Sequence, residues 1–160
     1  MQKGDVIIVE GLHALNPIIT DTLPKEHLFK IYINVSSRIY DKNRHIVLNK
    51  RNIRFVRRLV RDFNFRNSSV ENTYRLWDSV TAGEDKYLFP YKDYADARIN
   101  SIHLYEICVL KQEALKMLKD LPESDPHYKN AKTLIRHLEK FPNLSIDRVP
   151  EHSLLREFLG

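Results

Sequence analysis

One cysteine in 160 residues excludes an internal disulfide, and four glycines are few for an α/β nucleotide-binding protein. Gly4, Gly11, Gly83 and Gly160 lie far apart, and none precedes Lys-Ser or Lys-Thr. The G-x-x-x-x-G-K-[ST] loop that cradles phosphates is therefore absent from these residues. No apolar run approaches the roughly 20 residues of a membrane span, and the N-terminus lacks a signal-peptide layout. Together with the single thiol, this sets the expectation of a cytoplasmic protein with no membrane partner. Cys108, within Ile107-Cys108-Val109-Leu110, reads as a small core residue.

What is abundant is positive charge, and it is local. Residues 38–66 hold ten Lys or Arg against two acids, Asp41 and Asp62, a balance of +8. The whole chain carries +5, so everything outside this segment is net negative. Such a concentration points to an anionic ligand at one place rather than a diffusely sticky surface. On a helix turning about 100° per residue, Arg54, Arg58 and Arg61 share one narrow face with Arg57 beside them. Ile53, Val56, Val60 and Phe63 fall on the opposite side, where a core can form. Guanidinium groups held in one direction suit several phosphate oxygens, because each is a rigid fork of donors with a permanent charge.

The chain length suits a single domain over 1–160. Val6-Ile7-Ile8-Val9 reads as a strand buried on both faces of a parallel sheet, ending in the carboxylate and flexible residue Glu10-Gly11. A turn and a short helix follow, with Asn16 as N-cap and Pro17 in the first turn. Residues 29–35 form a second strand, near-central in the sheet, and the order strand, helix, strand suggests a βαβ crossover. Residues 36–52 read as a helix start and a loop before the arginine helix. Ser69 caps a helix from about Val70 to Tyr87, 88–91 is an aromatic turn, and 96–101 is a short strand. Leu104 to Leu121 is the clearest helix, its apolar positions including Leu104 itself, and Pro122 ends it. A partner helix runs to about Lys140, and a last short one covers 151–158. His13 lacks a partner at metal-ligand spacing and reads as structural.

A strand ending in Glu-Gly before an arginine-bearing helix is half of a phosphoryl-transfer site. Such a site needs positive groups on the phosphate oxygens and a carboxylate or hydroxyl for Mg²⁺. Here the residues carry a resemblance. Residues 5–16, Asp-Val-Ile-Ile-Val-Glu-Gly-Leu-His-Ala-Leu-Asn, look like the third-strand segment of the uridine kinase and phosphoribulokinase group of P-loop kinases. Arg57-Arg58-Leu-Val-Arg61-Asp62-Phe-Asn-Phe-Arg66 resembles the arginine signature of that group's lid. The bacterial uridine-kinase-like nucleoside kinases are closer still. They are similar through Asp41-x-Asn43-Arg44, Thr73-x-x-Leu-Trp77, Gly83-Glu84-x-Lys-Tyr-Leu-Phe-Pro90, Tyr94-Ala-Asp96, Asn100-Ser101, Leu104-Tyr105-Glu106 and the segment 153–158.

The resemblance covers nearly the whole chain. It implies an α/β fold: part of a three-layer P-loop kinase, with an arginine-rich lid at about 38–90 and an appended helical pair at about 104–140. It implies the C-terminal part of an ATP-dependent nucleoside kinase, with the phosphate loop and general-base Asp outside these residues and the isolated chain inactive. Glu10 would be a Mg²⁺ ligand. Arg61 and Arg66 would be the catalytic lid arginines on the ATP phosphates, with Arg57 behind them on the cofactor side. Arg58 would face the nucleoside, and Asp41 and Arg44 would edge its pocket. Uridine kinases continue the lid as Arg-Gly-Arg, whereas here it is Arg66-Asn67-Ser68, which leaves the nucleoside open. The alternative is a non-catalytic module gripping nucleic acid or a partner chain through residues 38–66. Against nucleic acid stands the placement of the phenylalanines on the apolar side, away from stacking. Missing strands would leave an unpaired sheet edge after Val9 or Val35, and with it a tendency to homo-oligomerise.

Overall fold

The computed structural model describes residue 2 and residues 4–159. It is a mixed α/β structure in which the chain forms two compact units, Met1–Ile33 with Ser79–Ile99, and Asn34–Asp78 with Asn100–Gly160. The sequence suggested a single domain. The distribution of apolar side chains explains the difference, because the buried hydrophobic cluster draws only on residues of the second unit.

In the second unit, β2 (Ile39–Tyr40) and β3 (Ile46–Leu48) form an antiparallel hairpin, with Ile39 opposite Leu48. This hairpin replaces the helix start and loop expected for 36–52. Asp41 Oδ1 accepts from the Asn43 and His45 N–H groups, and Arg44 sits at φ 64°. An aspartate-built turn thus joins two short runs of strand-favouring residues set among basic ones. Val47 and Leu48 turn inward, and the chain enters the arginine helix α2, Lys50–Arg66.

Helix α2 starts at a reciprocal cap. Asn49 Oδ1 accepts from Asn52 N–H at 2.9 Å, and Asn52 Oδ1 accepts from Asn49 N–H at 3.1 Å. Its buried side carries Ile53, Val56 and Val60 as expected, and Phe55 and Leu59 as well. The helix stops at Asn67, left-handed at φ 48°, a conformation that asparagine tolerates better than most residues. The N–H groups of Asn67 and Ser68 both donate to the Asp62 carbonyl. Ser69 Oγ then accepts from Asn72 N–H at the start of α3, Val70–Tyr87, as the sequence suggested.

Helix α4 (Glu106–Lys119) packs on α2 and on α5 (Tyr128–Leu138), and the short α6 (Arg156–Leu159) also lies against α2. Ile107, Leu110, Ala114 and Leu118 of α4 meet Leu134 and Leu138 of α5 in the common core. Leu104, read as part of this apolar series, precedes the helix and is 95% exposed. Cys108, expected as a core residue, is half-buried.

The first unit holds α1 (Pro17–Thr20), capped by Asn16 Oδ1 accepting from Ile18 N–H at 3.0 Å, and a 3₁₀ turn at Phe89–Tyr94. His13 packs edge-on to Tyr87, with ring centroids 4.7 Å apart. Strands β1 (Ile31–Asn34) and β4 (Ala97–Asn100) pair with each other. Lys30 C=O accepts from Ala97 N–H, and Asn34 C=O accepts from Ser101 N–H, so both strands run the same way. Along β1, Tyr32 and Asn34 are buried while Ile31 and Ile33 are exposed, so the strand is covered on one face only.

Val6–Val9 is not a buried strand. The segment is irregular, and its four side chains are exposed, Val6 at 86% and Ile8 at 88%. The expected βαβ crossover therefore does not form among the described residues. Four β-branched residues favour an extended chain, but a strand also needs neighbours for its N–H and C=O groups. No described strand supplies them. No described helix is long and apolar enough to cross a membrane.

Candidate anion-binding site

Rotating α2 about its axis places Arg54, Arg58, Arg61 and Phe65 within about 60° of one another. Arg54, Arg58 and Arg61 are half-buried there, and Phe65 is exposed. Beneath the stripe is one acid. Asp62 is 2% exposed, and its carboxylate gathers three arginines. Arg61 donates from Nε at 3.2 Å and from a terminal nitrogen at 3.1 Å, both to Oδ1. Arg66 reaches the same oxygen at 3.2 Å, and Arg58 Nε lies 3.0 Å from Oδ2. The Arg58 N–H is aimed off that oxygen, so this contact is charge attraction and not a directed hydrogen bond.

Three guanidinium groups and one carboxylate leave two positive charges. They also leave most of the N–H donors unfilled, since each guanidinium carries five and a carboxylate accepts about four. A buried acid under the arginines does two things here. It fixes them on a rigid helix, and it offsets part of the repulsion that three like charges would otherwise suffer. The result is a preorganised array suited to an anion with several oxygens.

Arg57 is engaged elsewhere. It is buried, and its Nε donates to Glu106 Oε1 at 3.1 Å while a terminal nitrogen donates to Oε2. The same guanidinium donates to the Ser101 carbonyl and hydroxyl, and the Phe158 ring lies beneath it with its centroid 5.4 Å away. Glu106 Oε2 also accepts from His103 N–H at 2.9 Å. The sequence grouped Arg57 with the cofactor contacts; in the structure its guanidinium ties α2 to the start of α4. Arg54 stands 5.9 Å above Trp77.

Asp41 and Arg44, expected at a pocket edge, both lie in the β2–β3 turn. The His45 backbone N–H is the main cause that holds the Asp41 carboxyl below its usual range, and Asn43 N–H adds to it. Glu10 lies in the irregular exposed segment of the first unit, whereas the arginines belong to the second. Among the described residues no three His, Cys, Asp or Glu gather as a metal-binding group. A cavity of about 400 Å³ lies near the start of α3, lined by Ser69, Glu71, Arg75, Asp125 and His127 among others, and holds none of the expected site residues.

Three residues of this region were not singled out from the sequence. Asp62 was legible, because it stands four residues from both Arg58 and Arg66, the spacing of helical ion pairs. Glu106 as the partner of Arg57 was not, since 49 positions separate them. Phe65 was placed on the apolar side with Phe63, yet the two are 56% and 49% exposed. No protein-family profile, no curated protein and no solved structure matches this chain.

Proposed function

We propose that these residues are the lid-bearing C-terminal part of an ATP-dependent nucleoside kinase of the uridine kinase and phosphoribulokinase kind. The observation that carries this reading is the Arg58, Arg61 and Arg66 cluster on buried Asp62. Phosphoryl transfer is catalysed largely by positioning and by charge placed on the phosphate oxygens. Arg61 and Arg66 are the groups for the ATP phosphates, and Arg58, which shares Asp62 with them, is the group for the nucleoside. The left-handed Asn67 lends support, since it stands where the resembled lids carry glycine, and both residues accept that backbone conformation. Glu10 is the candidate Mg²⁺ ligand. One exposed carboxylate suits an ion that takes its other ligands from phosphates and water. A three-layer kinase fold and a cytoplasmic location belong to the same proposal.

A second reading, a nucleic-acid-binding module on residues 38–66, gains from the exposure of Phe63 and Phe65, which removes the argument drawn against it.

Titrating the chain with inorganic tripolyphosphate tests the cluster. Saturable binding is expected, weakened about tenfold in Arg61→Ala and again in Arg66→Ala, as for loss of a charge-assisted hydrogen bond. No saturable binding by the unaltered chain would overturn the reading. The chain alone should not turn over ATP with a nucleoside, because the phosphate-cradling loop is not among its residues. Robust turnover would contradict the assignment of these residues as one part of the enzyme.

A further inference from the structure

One aromatic residue shares the arginine stripe of α2 and faces outward. Phe65 follows Arg61 by one turn on the same stripe, which puts their Cβ atoms about 6 Å apart. It is 56% exposed, and no described ring or guanidinium stacks on it. Phe63 points round the helix by about 160° from Phe65 and does not share the stripe. Arg54, at the far end, is occupied over Trp77. Chemistry along the stripe therefore changes within one turn, from clustered guanidinium groups to one exposed aromatic ring.

We infer that Phe65 is the platform on which the base of a nucleoside triphosphate stacks while its phosphates lie on the Arg58, Arg61 and Arg66 cluster. The inference rests on the reading above that these arginines hold nucleotide phosphates, and it adds where the base goes. Every nucleobase has a π face, so a single unroofed ring selects for a base without selecting which one. The site takes purine and pyrimidine triphosphates alike, purines more tightly because they cover more of the ring. No hydrogen-bonding group on the stripe beyond Phe65 is required.

Calorimetric titration of the full 160-residue chain with ATP, UTP and inorganic tripolyphosphate tests this. ATP should bind about tenfold more tightly than tripolyphosphate, with UTP between them. Phe65→Ala should bring ATP and UTP down to the tripolyphosphate affinity, itself unchanged, and Phe65→Trp should restore the order. Circular dichroism on each variant checks that α2 persists, which the exposure of Phe65 favours. Equal affinity for ATP and tripolyphosphate in the unaltered chain would overturn the inference and leave the arginine cluster standing. So would an equal loss for all three ligands in Phe65→Ala. Absence of tripolyphosphate binding would overturn both. A single-stranded RNA decamer held more tightly than ATP, with the Phe65→Ala loss confined to the RNA, would assign the ring to a polynucleotide instead.

Discussion

The two units solve the problem of apolar surface in opposite ways. In the second, helices α2, α4, α5 and α6 bury a continuous cluster in which Leu48, Ile53, Val56, Leu59, Leu110 and Leu138 are fully enclosed. In the first, Leu15 and Tyr32 are the buried apolar residues among those described, while Val6 to Val9, Ile18, Phe29, Ile31 and Ile33 face outward. Both draw on the same residue types. What differs is the number of local partners. Helices α2, α4 and α5, of 11 to 17 residues, satisfy their own backbone and need only a neighbour for one face. Strands of four residues depend on chains alongside them for backbone and side chains both. The arginine cluster sits on α2, which packs on α4, α6 and β3 of the better-packed unit.

The largest expected effect that sharpens this contrast is at the buried ion pair. Arg57→Ala leaves Glu106 enclosed without its counter-charge and should destabilise the second unit by about 3–5 kcal/mol. Denaturant unfolding followed by the fluorescence of Trp77, the only tryptophan, reads that unit directly. A loss below about 1 kcal/mol would mean that the pair is better hydrated than its burial indicates.

Next comes a paired substitution. Leu110→Ala should cost about 3 kcal/mol by the same probe, whereas Ile8→Ala should stay within about 0.5 kcal/mol. Equal costs would break the comparison, because Ile8 would then be packed as Leu110 is. A smaller effect belongs to the start of the arginine helix. Asn49→Ala removes one half of the reciprocal cap and should lower stability by about 1 kcal/mol, read as a shift in denaturation midpoint.

The smallest is in the β2–β3 turn. Asp41 titrates lower when folded than the usual value of about 3.9 because backbone N–H groups favour its charged form. Its contribution to the turn is present above that unfolded value and is lost as pH falls through the folded one. An NMR titration of the Asp41 carboxyl should give a midpoint below 3.9. A midpoint at or above that value would show that the turn holds without the charge.

These contrasts also mark what the sequence reveals. Helices α2 to α5 are legible because periodicity, caps and stops are local; Ser69 caps α3 as expected, as Asn16 caps the short α1. Val6 to Val9 is misread because a β-branched run reports only a preference for extended backbone, while burial depends on neighbours. The β2–β3 hairpin is hard to read because its strands are only two and three residues long and lie among basic side chains. In the site, the shared face of Arg58 and Arg61 follows from helical geometry alone. The removal of Arg57 from that face does not, since its angular position lies on the boundary between core and solvent and Glu106 decides the outcome. Phe65 lies on the arginine face by the same geometry, but its exposure needed the packed structure.

Asp62 belongs to two structures at once. Its carboxylate holds the arginines, and its carbonyl accepts the N–H groups of Asn67 and Ser68 that end α2. Anything that draws the guanidinium groups away from the side chain alters the same residue that fastens the helix terminus. The chain thereby carries an internal reporter. The amide signals of Asn67 and Ser68 should move when an anion arrives, although neither residue need touch it, and occupancy can be followed without an attached probe.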